Sequence, residues 1–119
     1  MDLVCNLLSY RNNFKVYHWS TGSFSRHKAT CDLVDKMDEL IDTIIETYSA
    51  RYGVPKGKCT LSLEDMNDTQ VLQYLDSFIA WVTKEFPTFV HPSRDFDLLN
   101  TRDELLGVLE QTKYLFRLK

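Results

Sequence analysis

A chain of 119 residues with 44% hydrophobic and 26% charged content has the make-up of one globular domain, 1–119, and is too short for a second core of ordinary size. The net charge of -3 leaves Lys and Arg scattered among more numerous carboxylates, so no basic stripe exists to neutralise phosphates and direct nucleic-acid binding is not expected. No apolar run approaches bilayer length, so no membrane partner is expected, and the opening Met1-Asp2-Leu3-Val4 shows no charged leader, which reads as a cytoplasmic chain.

From Leu3 to His18, apolar residues at Leu3, Leu7, Tyr10, Phe14 and Tyr17 recur at three- and four-residue steps, the stripe of an amphipathic helix. Ser20-Thr21-Gly22-Ser23 ends it, with Gly22 suited to a left-handed conformation and Ser23 suited to cap the next helix. The second helix runs from Phe24 to about Tyr52. One stripe holds Phe24, His27, Cys31, Val34, Ile41, Ile45 and Tyr48, and a neighbouring stripe holds Leu33, Met37, Leu40 and Ile44. So wide an apolar face predicts packing against both the chain's own bundle and a second surface, such as a partner chain.

Gly53-Val54-Pro55-Lys56-Gly57 stops the second helix and opens a loop to Asn67. Val71, Leu72, Leu75, Phe78, Ile79 and Val82 predict a third helix from about Asp68 to Phe86, stopped by Pro87. Thr101-Arg102-Asp103-Glu104 has the form of a capping box, and the apolar residues after it predict a fourth helix to the C-terminus. Four helices without strand alternation imply an all-α, antiparallel four-helix bundle. Cys5, Cys31 and Cys59 are odd in number and widely spaced, which favours reduced thiols over a disulfide framework or a structural zinc site.

The chemistry-bearing residues fall into two half-sites. His18 closes the first helix and His27 opens the second, so the short connection brings their imidazoles to one end of the bundle. Cys31 lies one turn beyond His27. Asp42 and Glu46 form a second pair on one face, further along the same helix. His27 and Asp42 are separated by about 22 Å of helix rise, so one chain cannot wrap both halves around a single ion. Two copies packed antiparallel, with a two-fold axis near Lys36 and Met37, would join them into a nitrogen and oxygen ligand set suited to iron(II) or another first-row metal. Taken singly, each residue has a plainer reading: His18 as a helix-terminal contact, His27 as a hydrogen-bonded polar group, and Asp42 and Glu46 as a solvated face.

The run Tyr17-His18-Trp19-Ser20-Thr21-Gly22-Ser23-Phe24-Ser25-Arg26-His27, continuing to Asp42-Thr43-Ile44-Ile45-Glu46, resembles the first helix pair of the mini-ferritins, the Dps family. The resemblance implies a ferritin-like bundle and a homo-oligomer formed through the second helix. His18 and His27 would be histidine ligands, Asp42 and Glu46 carboxylates supplied across the two-fold interface, and iron the bound metal, open to oxidation. Cys31 stands where that family has an aspartate. A thiolate beside iron and oxygen is itself oxidised, so the exchange weighs against an efficient ferroxidase.

Tyr10, Phe14, Tyr17, Trp19 and Phe24 read as core and hinge packing. His91 precedes a proline in a loop and is given no role. Short chains of this pattern also resemble uncharacterised proteins of large DNA viruses and phages. That leaves an alternative, a non-catalytic helical structural or interaction protein such as a minor, virion-associated component with structural protein partners.

Overall fold

The computed structural model describes residues 1–118 and forms an all-helical bundle. The first helix, α1, spans Asp2–Ser20, and buries Leu3, Leu7, Phe14 and Tyr17 as its periodicity predicts. Thr21 ends it in an extended conformation. Gly22 is not among the glycines of positive φ, so the turn needs no left-handed residue. Ser23 then caps α2, Phe24–Tyr52, its hydroxyl accepting from the Arg26 amide at 3.3 Å.

Both apolar stripes of α2 are used inside the chain. Leu33, Met37 and Ile44 on one, and Val34 and Ile41 on the other, are buried, because α2 lies between α1 and the last helix and packs on both. The width that suggested a partner chain is the width needed to face two neighbours at once. Phe24, His27 and Cys31, at the start of that stripe, are left exposed. Gly53 closes the helix at φ 89°, a backbone that favours glycine, and donates to the Ser49 carbonyl.

Residues 53–69 form a strap laid lengthwise along α1. Cys59 is disulfide-bonded to Cys5 in the first turn of α1, with Cα atoms 6.2 Å apart. Half-way along, the buried Asn13 amide donates to the Ser62 carbonyl and accepts from the Glu64 amide at 2.7 Å. At the far end, Tyr17 and Thr21 hydroxyls both donate to Asp68 Oδ1. The bond corrects the expectation of three reduced thiols. Fifty-four residues of sequence separate the pair, and spacing alone cannot show that the strap doubles back to where the chain began.

A capping box is present, but not where the sequence pattern placed it. Asn67 Oδ1 accepts from the Thr69 and Gln70 amides while Gln70 Oε1 accepts from the Asn67 amide, opening α3, Gln70–Ala80. The helix continues through a π-helical turn, Trp81–Glu85, and a 3-10 turn, Phe86–Phe89, in which Pro87 sits at the start. Tyr10, Phe78, Trp81, Phe86 and Phe89 pack there ring against ring. The last helix, α4, spans Phe96–Leu115 and so begins five residues before the predicted box at Thr101. Its start is held by buried Asp95, which accepts from Arg51, from the Tyr52 hydroxyl and from the His91 amide. Thr101, already inside the helix, donates back to the Asp97 carbonyl.

Arg26 joins four segments. Its guanidinium donates to the Tyr17 hydroxyl and the Asp68 carbonyl from one nitrogen and to the Phe116 carbonyl from the other. It also lies 5.0 Å from the Phe116 ring centroid. With its side chain 15% exposed, little water is at hand to replace these bonds. Arg26→Met is expected to lower unfolding free energy by about 2–4 kcal/mol, read by equilibrium urea denaturation; an unchanged midpoint would show that the four segments hold together without it.

Candidate functional site

The corner between α1 and α2 brings the two predicted histidines together. His18 Nδ1 lies 2.8 Å from the His27 carbonyl oxygen, and His27 Nδ1 lies 2.8 Å from the His18 carbonyl oxygen. A carbonyl only accepts, so both Nδ1 atoms carry hydrogen and each histidine donates to the other's backbone. His18 Nδ1 is also 3.0 Å from the Thr30 hydroxyl, which itself donates to backbone carbonyls one turn back. These bonds occupy carbonyls at the end of α1 and the start of α2, closing a turn of very few residues.

The rings stack with centroids 3.9 Å apart and planes inclined by 18°. An ion bound by imidazole lies near the ring plane, along the lone pair. Two near-parallel stacked planes share no such point within bonding distance of both rings. Asp42 and Glu46 are exposed on the outer face of α2, about 22 Å and about 28 Å of helix rise from His27, and Cys31 is exposed as a free thiol. Among the described residues no group of three or more His, Cys, Asp or Glu side chains converges to hold a metal ion.

A second polar cluster lies at the opposite end of α2. Arg51 bridges Asp95 at 2.7 Å and Asp97 at 3.0 Å, and beside it an open groove is lined by Glu46, Thr47, Ala50, Arg51 and Asp97. The guanidinium is committed to two carboxylates, and its bonds fasten the end of α2 to the start of α4. No buried side-chain polar atom lacks a hydrogen-bond partner among the described residues.

What the corner does present is aromatic surface. Trp19 is 68% exposed and Phe24 is 76% exposed, one on each side of the turn. This corrects the reading of both as core and hinge packing. The helical wheel held the signal for Trp19: two residues past Tyr17, it lies on the side of α1 opposite the buried stripe. Phe24 immediately follows the capping Ser23 and is exposed, while Ser25 and Arg26 of the same turn bond to the Leu118 and Phe116 carbonyls. Beside Trp19 a shallow groove is lined by Arg11, Asn12, Lys15, Val16, Trp19 and Leu63, with the Lys15 ammonium 5.4 Å from the Trp19 ring centroid.

Burial pushes His18 below the ordinary imidazole value, the hydrogen bond to His27 works against that, and the charges of His27 and Lys15 add to the depression. The fold therefore keeps His18 neutral where the unfolded chain, with a value near 6.5, takes up a proton. Stability is full above that value and falls as pH drops below it, until the folded value is passed. The melting temperature is expected to decline between about pH 7 and pH 5. His18→Asn, which keeps a donor for the His27 carbonyl but cannot ionise, is expected to flatten the decline; an equally steep profile in the variant would rule out His18 as its source.

The chain is 27% identical over 118 residues to an uncharacterized 14.6 kDa protein in the mobD-ri intergenic region of enterobacteria phage T4, a match covering 95% of this chain and 84% of that one. No solved structure matches. A family model matches residues 18–116, and it is a family of unknown function, not a ferritin-like one. This match overturns the mini-ferritin assignment; the His-Trp turn on which the resemblance rested is closed by reciprocal backbone hydrogen bonds. The chain belongs to the family of unknown function DUF5856.

Proposed function

We propose that this protein is a non-enzymatic helical interaction module that binds a protein partner through the α1–α2 corner. The observation that carries the reading is the pairing of Trp19 and Phe24, both largely exposed, on a turn held rigid by the histidine bonds, the Ser23 cap and Arg26. Large aromatic side chains on a preorganised support are the usual anchors of protein interfaces, because they bury much area and lose few rotamers. The phage T4 relative favours a role during phage infection, in the cytoplasm of the infected cell.

A different protein suits this surface better than a second copy joined through α2. The outer face of α2 carries Asp32, Asp35, Glu39, Asp42 and Glu46, all exposed. With only Lys28 and Lys36 exposed beside them, that face is net negative, so bringing two copies of it together sets like net charge against like.

The test is affinity capture from the native host with two baits of matched melting temperature, the parent chain and a Trp19→Ser, Phe24→Ser variant. The variant is expected to lose the protein that the parent retains. With the pair rebuilt from purified components, truncating one anchor is expected to weaken binding by about 30-fold or more. Equal binding by both baits would overturn the reading. Saturable iron(II) uptake under anaerobic conditions, abolished by His27→Ala, would instead assign the corner a metal-ligating role.

A further inference from the structure

The strap is fastened unevenly. From Ser62 onward it is tied to α1 by Asn13 and, through Asp68, by Tyr17 and Thr21, and Met66 is buried in the core. Between Gly53 and Ser62 the situation is the reverse. Among the described residues, no hydrogen bond or ion pair involves residues 54–61, and all but Pro55 and Leu61 are exposed. The Cys5–Cys59 bond is what holds this half of the strap against the first turn of α1. Gly57 approaches the same turn, a Cβ added there falling 3.5 Å from the Met1 Cβ.

We propose that the Cys5–Cys59 disulfide is a reducible latch, whose opening frees residues 54–61 while the helical bundle and the second half of the strap stay in place. Cys59 is exposed and Cys5 is half-buried, so an incoming thiolate attacks the Cys59 sulfur and the Cys5 sulfur leaves, taking up a proton. With a dithiol as reductant, its second thiolate displaces Cys59 from the mixed disulfide. The protein gains two thiols, and the reagent is oxidised to its own disulfide by the same two electrons. Local release follows from where the tethers are: opening the bond removes the constraint on an exposed segment and breaks none of the bonds made by Asn13, Asp68 or Arg26. The freed arm carries Val54, Lys56 and Lys58, and the first turn of α1 is uncovered.

Lys56 and Lys58 make the arm readable by trypsin. Protein purified in air is expected to show one reactive thiol, Cys31, and three after treatment with dithiothreitol. Cleavage after Lys56 and Lys58 is expected to run at least about tenfold faster in the reduced protein, with the helical circular dichroism retained and cleavage at Lys84 unchanged. Cys59→Ser, which alters an exposed strap position only, is expected to be cut in air at the reduced rate. Three reactive thiols in air, equal cleavage rates in the two states, or a loss of helical signal on reduction would each overturn the latch.

Discussion

A single guanidinium sets the geometry of the end of the bundle where the corner lies. Arg26 leaves α2 in its first turn and meets Tyr17 of α1, the carbonyl of Asp68 just before α3, and the carbonyl of Phe116 just after α4. Two of those partners are backbone acceptors at segment ends, where carbonyls or neighbouring groups would otherwise need water. The planar fork suits this, because several acceptors can be met from one fixed frame. The phenol of Tyr17 passes the order on, donating to Asp68 at 2.6 Å, which in turn accepts from Thr21 at the exit of α1. The aromatic corner rests on this frame, so Trp19 and Phe24 take their support from a charge that faces inward.

The existence, order and approximate span of the helices were legible in the residue pattern, and so was most of the core. Leu7, Phe14 and Tyr17 in α1, Leu33, Met37 and Ile44 in α2, and Val71, Leu75 and Phe78 in α3 lie on the predicted stripes and are buried. Boundaries were less legible, because they depend on distant partners. The start of α4 is fixed by Asp95, whose carboxylate is anchored by Arg51 and Tyr52 at the end of α2; nothing local to Asp95 announces that. Thr101 and Glu104 match a capping box as a string of letters, yet a helix already running through them has no exposed amides for them to cap.

Spacing left the role of the two histidines open for a physical reason. Residue spacing does not tell a metal-ligating imidazole from one that only braces the backbone, and a ring that donates to a carbonyl through one nitrogen keeps the other for a metal. His18 and His27 are close, as expected, but each uses its Nδ1 hydrogen on the other's backbone and their planes stack. The feature that separates the two roles, ring orientation, is a property of side-chain torsions and has no trace in the order of residues. The second apolar stripe of α2 is equally ambiguous: a wide face reports how many neighbours a helix has, without saying whether they belong to its own chain. Trp19, by contrast, lay in plain view on the wrong side of its helix.

The π-helical turn at Trp81–Glu85 holds one residue more than a regular turn, within the aromatic cluster. On a regular period of about 100° per residue, Val71, Leu75, Phe78, Val82 and Phe86 already share one face, and all are buried. The wide turn therefore takes up its extra residue without turning that face outward. The length of the third helix is adjustable at this one place: removing a single residue there would restore regular bonding and leave the segments on either side facing the core.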